Sequence, residues 1–166
     1  MRLFILILAL IMCLPAVAFA SPQTATAGPF KISFDMNNVI IQPQDTSTYD
    51  SDGISVVGYR IKIIDPDSPA ECQVSINKYS APIPDSIEYG AESIAEMYRV
   101  IYRDVTVDYR SIDGKDGYDV KGADDEHGRL HHSAGYQLGE QIQIAIGGDL
   151  TDFGNLLDTI HIESMP

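Results

Sequence analysis

The feature that most constrains the fold is an alternation of apolar and polar residues that returns in several segments of this 166-residue chain. Such alternation is typical of half-buried β-strands, because successive side chains point to opposite faces of a sheet. The clearest cases are residues 30–36, residues 57–63 and the stretch around Val74. The turn sequence DPDSP (65–69) joins the last two, so we expect them to pair as a hairpin. Residues 42–53 have the composition of a loop.

After these strands the hydrophobic period changes from two to that of a helix. Asp85 and Glu88 have the spacing of a helix N-cap residue and an acid at the third helical position. Apolar residues then recur at helical intervals, and charged residues fill the remaining face. The pattern predicts an amphipathic helix of about four or five turns. The residues predicted on its buried face are Ile87, Ile94, Tyr98, Ile101 and Val105.

Four more strands and a closing helix are predicted in the second half of the chain. The strands are Val105–Ile112, Tyr118–Ala123, Arg129–Leu138 and Gln141–Ile146. The sequence DGKDG (113–117) predicts a tight turn between the first two, since glycine accepts positive φ. Asp149 is the expected cap of a closing helix of about three turns. Its predicted apolar face consists of Leu150, Phe153, Leu157 and Ile160.

Runs of antiparallel strands with two helices predict an α+β fold. We expect one antiparallel sheet of about six or seven strands, packed with two main helices, in a single domain over residues 30–166. The length of the chain agrees with one ordinary domain.

The order of these elements resembles that of the PsbP-like family. The stretches that carry the resemblance are SIDGKDGY (111–118) at a hairpin turn and QIQIAIGGDLTDFGNLLDTIHIE (141–163) at the last strand and helix. The resemblance covers most of residues 30–163 and implies an antiparallel sheet sandwiched by helices. It also implies a non-catalytic accessory or binding role, often outside the cytoplasm. No ligand-binding residues of that family can be matched in this sequence.

Residues 1–20 are typical of a secretory signal peptide. Arg2 precedes the apolar run Leu3–Leu14, and the small residues Ala18 and Ala20 define a cleavage site before Ser21. The alternative is an uncleaved anchor, because Leu3–Ala20 is 18 residues long, near the lower limit for crossing a bilayer. Either reading places the protein outside the cytoplasm, secreted or at the cell envelope. Residues 21–29, SPQTATAGP, are then expected to form a flexible leader.

The charge of the chain excludes several classes of partner. The formal charge is −13, and it becomes −14 if residues 1–20 are removed, because Arg2 is their only charged residue. Nucleic acids and anionic membrane surfaces are bound through Lys and Arg, so neither is expected as a partner. Membrane association is expected only through an uncleaved N-terminal segment. Cys72 is the one cysteine left after cleavage, so no internal disulfide is expected, and its alternating context predicts a buried thiol.

The stretch DDEHGRLHH (124–132) holds three of the four histidines and is the candidate metal site. The candidate ligands are His127, His131 and Asp125, since imidazole and carboxylate bind zinc or copper. In an extended strand, however, His127 and His131 would lie roughly 13 Å apart, too far for one ion. The alternative is a polar hairpin tip in which His132 is partly buried and satisfied by a hydrogen bond.

No pattern in the sequence predicts a catalytic site. A nucleophile-elbow motif and a glycine-rich phosphate loop are both absent. The acidic loop around Asp50 fails as an EF-hand, because Thr48 and Tyr59 occupy its first and last ligand positions. We therefore expect an exported, non-catalytic binding or accessory protein without a cofactor, which acts on a protein or cell-surface partner. The alternative is a metal-binding protein or metalloenzyme that uses the 124–132 cluster.

Overall fold

The computed structural model describes residues 21–51, 53–83, 86–124 and 126–166. Within these ranges ten strands and two helices form an α+β fold with two antiparallel sheets. In chain order they are β1 (Pro22–Ala27), β2 (Phe30–Asp35), β3 (Ile40–Ser51), β4 (Ile54–Ile64), β5 (Glu71–Tyr79), α1 (Ile87–Ile101), β6 (Arg103–Ile112), β7 (Lys115–Ala123), β8 (Leu130–Gln137), β9 (Ile142–Gly148), α2 (Phe153–Thr159) and β10 (His161–Ser164). The predicted α+β class, antiparallel pairing and two helices are confirmed. The strands are more numerous than predicted and belong to two sheets.

The larger sheet has seven strands in the order β3-β4-β5-β9-β8-β7-β6. It consists of two meanders, β3–β5 and β6–β9, in which chain neighbours are joined by short turns. Helix α1 separates the meanders and carries the chain to the far edge, so β9 returns to pair with β5 at the centre. The predicted hairpin between β4 and β5 and the turn after β6 are both confirmed.

The smaller sheet, in the order β1-β2-β10, packs on one face of the larger sheet together with α2. Alternate residues of β2 are buried there, as the alternation predicted. They form one apolar cluster with the inward residues of β4, β5 and β9. The largest fully buried members include Phe30, Phe34, Ile61, Ile63, Ile76, Ile144, Phe153 and Leu156.

Helix α1 covers the opposite face of the seven-stranded sheet, over β6, β7 and β8. Tyr118 and Val120 point toward α1, whereas Asp119 between them points to the face that carries α2. Ala91 and Ala95 are fully buried in the α1 contact, where their small side chains let the helix approach the sheet closely.

Two residues predicted on the buried face of this helix lie elsewhere. Ile101 is 58% exposed at the last turn, and Val105 belongs to β6, because the helix already ends at Ile101. The N-cap is Ser86, whose side chain accepts a hydrogen bond from the Tyr89 N–H. Asp85, the predicted cap, lies outside the described residues.

Two predictions about the edges of the sheets are wrong, one edge strand was missed, and the closing helix is shorter than predicted. The predicted flexible leader at residues 21–29 contains β1, whose residues pair with β2 from Pro22↔Asp35 to Ala27↔Phe30. The predicted loop at 42–53 lies almost wholly within β3, a polar edge strand that pairs with β4. Strand β10 was not predicted, and α2 has seven residues where about three turns were expected. Residues 1–20, with the predicted signal peptide, lie outside the described residues.

Candidate functional site

The structure places the candidate metal ligands at the turn between β7 and β8. His127 is largely exposed, and its backbone N–H donates to Asp124 Oδ1 at 2.6 Å. The His131 Nε2 atom lies 3.6 Å from Asp124 Oδ2, and its ring stacks on Tyr102 with 4.7 Å between ring centroids. Asp125, the third candidate ligand, lies outside the described residues.

This arrangement does not assemble a metal centre from the residues that can be described. Among them, no group of three or more His, Cys, Asp or Glu side chains is placed to hold an ion. A third ligand from Asp125 is the part of the hypothesis that stays a prediction.

His132 occupies a different environment from the other two histidines of the stretch. Its Nδ1 hydrogen-bonds to Asp119 Oδ1 at 3.1 Å, and its ring stacks on Phe153 with 4.3 Å between centroids. The Asp119 carboxylate is almost fully buried and lies 3.5 Å from Lys121 Nζ. The prediction of a partly buried histidine satisfied by a hydrogen bond is confirmed. Leu130, at the start of the same strand, is 47% exposed.

The most distinctive surface lies on the α1 side of the seven-stranded sheet and extends from β3 to β8, where the helix begins to cover the sheet. There most residues opposite the apolar cluster are polar or small, with the buried Val56 as an exception, and cross-strand pairing sets the polar and small residues in three parallel rows. We call this surface the polar face. Its rows are Gln42, Lys62, Gln73, Gly147 and Ser133; Gln44, Arg60, Ser75, Ala145 and Gly135; and Ser47, Gly58, Asn77, Gln143 and Gln137.

Helix α1 forms one wall of the polar face. Tyr98 and Tyr102 meet edge to face at 4.9 Å between ring centroids, and Tyr102 stacks on His131. Burial raises the pKa of Tyr98 to about 12, so its hydroxyl stays protonated at neutral pH, next to Ser133. The wall is therefore aromatic and uncharged, whereas the floor carries amides and hydroxyls.

The first row opens into a cleft of about 310 Å³. Lys62, Gln73, His131 and Gly147 line it, and Glu71 and Asp149 lie at its end. The Lys62 Nζ atom is 2.5 Å from Glu71 Oε2, so this ammonium group is already neutralised by an ion pair. His131 thus belongs to a polar cleft, which the sequence did not predict.

Cys72 lies beneath this cleft but does not offer a nucleophile. Its side chain is buried, as predicted, and burial together with the charge of Asp149 raises its pKa to about 12. Because the thiolate is the reactive form of cysteine, the thiol is inert near neutral pH.

The residues of the polar face were missed by sequence reasoning, although one signal was present. The alternation in β4 and β5 showed which residues face away from the core, and those residues include Lys62, Gln73 and Asn77. Their convergence depends on the pairing of β5 with β9, which joins segments about seventy residues apart. Comparison of the chain with protein-family models, with curated proteins and with solved structures found no match.

Proposed function

We propose that this chain is an exported, non-catalytic binding protein that holds a polar ligand on the polar face. The observation that carries the proposal is the three-row arrangement of amide, hydroxyl and cationic side chains beside an aromatic wall. Ligand sites combine apolar or aromatic walls with a few convergent polar groups that fix orientation. The polar face has both.

The chemistry of these groups favours binding over turnover. Glutamine, asparagine and serine donate and accept hydrogen bonds but are poor proton-transfer groups near neutral pH. The buried pair His132–Asp119 faces the opposite side of the sheet and is packed under Phe153. The thiol of Cys72 is held protonated.

An accessory role outside the cytoplasm is part of the same proposal. It is supported by the composition of residues 1–20 and by the resemblance of the element order to the PsbP-like family. Helices on opposite faces of an antiparallel sheet agree with that resemblance. No helix among the described residues is long and apolar enough to cross a membrane.

The proposal is tested by mapping amide shifts of the ¹⁵N-labelled protein with maltose, galacturonate and triglycine. At least one of these polar probes is expected to change the amide chemical shifts of residues in the three rows. Gly147→Trp should abolish the response, because its side chain would fill the cleft. The fold should tolerate the substitution, since a Cβ on Gly147 makes only ordinary van der Waals contact.

The matched control is Gly154→Trp, since Gly154 is an exposed glycine on α2 with open space around it. This variant should respond as the wild type does. Shifts that fall elsewhere on the molecule, or no response to any of the three probes, would overturn the proposal.

A further inference from the structure

One hydroxyl of the polar face is buried without a hydrogen-bond partner. Ser47 Oγ is inaccessible to solvent, and no donor or acceptor of the described residues reaches it. Buried polar groups in folded proteins are nearly always hydrogen-bonded, and an unsatisfied one costs about 1–3 kcal/mol. Ser47 is therefore a group whose partner remains to be supplied.

The nearby guanidinium of Arg60 is also unpaired. It is partly buried on the polar face, and it forms no ion pair or hydrogen bond within the part of the chain that the structure describes. This is unexpected in a chain with 24 acidic and 11 basic residues. The adjacent cation on the same strand, Lys62, is engaged by Glu71. Arg60 thus keeps its five N–H donors for another partner.

Gly58 marks the point at which these groups converge. An ideal Cβ placed on Gly58 would lie 2.9 Å from Ser47 Oγ, 3.3 Å from Asn77 Oδ1 and 3.4 Å from the Arg60 Nη2 atom. The φ angle of Gly58 lies outside the left-handed region, so the backbone itself does not require glycine. The missing side chain instead lets a hydroxyl, an amide and a guanidinium converge directly over the strand, in a place that a side chain on Gly58 would otherwise occupy.

A β-bulge brings Ser47 into this cluster. Gln44 pairs with Arg60, and Ser47 pairs with Gly58. Three residue steps along β3 therefore match two steps along β4. The extra residue switches which side chains of β3 point to the polar face, and Ser47 is the first to do so after the bulge. Bulges often re-aim a side chain next to a functional site.

We propose that Ser47, Arg60 and Asn77 bind an oxyanion group of the ligand: a carboxylate, a sulfate or a phosphate. This inference rests on the proposed function and names the class of ligand. The planar guanidinium matches two oxygens of an oxyanion. The serine hydroxyl, which solvent does not reach in this structure, donates to a third oxygen once the partly exposed Arg60 side chain moves outward with the anion. The Asn77 amide can turn its NH₂ group inward, because O and N exchange on rotation. A neutral ligand would leave the Arg60 charge uncompensated.

The surroundings permit one ligand to use both this cluster and the cleft. Arg60 and Lys62 are two residues apart on β4, about 7 Å along the strand. The neighbouring strands carry Glu71, which is paired with Lys62, and the exposed Asp45, which follows Gln44, the pairing partner of Arg60. A sugar acid or another small acid with a polar body fits this spacing, with its oxyanion at Arg60 and its body in the cleft.

The test is titration of the labelled protein with sodium sulfate, phosphate and acetate at constant ionic strength maintained with sodium chloride. At least one anion is expected to bind saturably and to shift the amides of Ser47, Gly58 and Asn77. Arg60→Gln should weaken its binding at least tenfold. Arg99→Gln removes the same charge from the outer face of α1 and should change affinity less than twofold.

Gly58→Ala gives an independent test that leaves every charge in place. Its methyl group fills the point of convergence, so binding should be lost while the melting temperature shifts by only a few degrees. If Gly58→Ala does not fold, Ser47→Ala replaces it, with an expected three- to tenfold loss. Saturable binding that is unchanged in Arg60→Gln, or no saturable binding of any of the three anions, would contradict the oxyanion site.

The two proposals fail in different ways. If the oxyanion site is wrong but the polar face is a binding surface, the probes maltose and galacturonate bind equally well, and Arg60→Gln affects neither. If the polar face is not a binding surface, its rows respond to none of the polar probes or the anions.

Discussion

At the residue scale, we expect one substitution at Ser47 to have opposite effects on stability and on binding. Substituting alanine for a serine whose buried hydroxyl has no hydrogen-bond partner removes the free-energy cost of desolvating that hydroxyl. We therefore expect Ser47→Ala to raise the free energy of unfolding by about 1 kcal/mol while it weakens oxyanion binding. Urea denaturation measures the first effect and anion titration the second.

A matched serine gives the control for this prediction. Ser68 Oγ accepts a hydrogen bond from the Ala70 N–H at 3.1 Å, so Ser68→Ala should lower the free energy of unfolding. Destabilisation of both variants to the same extent would show that Ser47 is satisfied in solution.

The thiol of Cys72 gives a second residue-scale prediction. Because burial raises its pKa to about 12, iodoacetamide should not label the native protein at pH 8 over the time in which it labels the urea-unfolded chain. Mass spectrometry measures the labelled fraction. Rapid labelling of the native protein would show that β5 opens locally beside the cleft.

The sequence predicts burial of single residues better than it predicts their convergence. The burial of Cys72 and the hydrogen-bonded state of His132 followed from alternation and from the cost of burying polar groups. The cluster at Arg60 did not, because the orientation of Ser47 depends on a bulge that leaves no mark in the hydrophobic pattern.

At the element scale, the start of α1 depends on Ser86. Its hydroxyl accepts from the Tyr89 N–H at 3.2 Å, and the same helix start lowers the pKa of Glu88, through its backbone N–H and then through Ser86. Ser86→Ala should cost about 1 kcal/mol of stability and raise the pKa of Glu88. Ser93→Ala, an exposed position in the same helix, should be neutral or slightly stabilising. Thermal unfolding and an NMR titration of Glu88 measure the two effects.

A second element-scale feature joins β10 to the seven-stranded sheet. Asp113, at the turn between β6 and β7, accepts hydrogen bonds from the Tyr136 hydroxyl and the Ile162 N–H, and its other oxygen lies 2.7 Å from His161 Nδ1. Its φ of 52° is in the left-handed region, which asparagine also tolerates. Asp113→Asn therefore tests the carboxylate without straining the turn.

We expect Asp113→Asn to lower the free energy of unfolding by about 1–3 kcal/mol, because a neutral amide with one acceptor oxygen replaces the charged acceptor that Tyr136, Ile162 and His161 share. Hydrogen exchange at the Ile162 amide should accelerate more than exchange in β7. Asp116→Asn, at an exposed position of the same hairpin, is the control. Equal exchange at Ile162 in both variants would mean that β10 is held by its pairing with β2 alone.

The elements that sequence reasoning missed share a physical cause. Strands β1 and β10 lie at the edges of the small sheet, and β3 lies at an edge of the large one. Edge strands with polar side chains carry little hydrophobic periodicity, and their pairing partners are set by the tertiary fold. Strands β2, β4 and β5 were predicted because one of their faces is buried in the main cluster.

At the scale of the whole molecule, the distribution of layers explains where the polar face lies. The small sheet and α2 bury one side of the seven-stranded sheet, whereas α1 buries only β6–β8 on the other. Among the described residues no helix or sheet packs on the rest of that side, so its three rows are polar or small, whereas Val56 beyond the third row is buried. The side chains in the three rows of the polar face can therefore be substituted without changing a residue of either apolar cluster.

Both apolar clusters contain groups that resist ionisation, and this predicts how stability depends on pH. Burial raises the pKa of Cys72 from 9.0 to about 12, and it raises the pKa values of Tyr98 and Tyr118 from 10.0 to about 12. Below pH 9 these groups are protonated in both the folded and the unfolded chain, so their contribution is fully present. As the pH rises toward 12 the unfolded chain releases protons that the folded chain retains, and stability is lost.

The free energy of unfolding should therefore fall above about pH 9, by up to about 1.4 kcal/mol per pH unit for each retained proton. Guanidinium denaturation at pH 8, 9, 10 and 11 measures the slope. Tyr118→Phe removes one of the titrating hydroxyls, so its slope between pH 10 and 11 should be shallower than that of the wild type. Met97→Leu, at an exposed position of α1, removes no titrating group and should leave the slope unchanged. Identical slopes in all three proteins would mean that Tyr118 ionises within the folded chain, and that the cluster beneath α1 admits water.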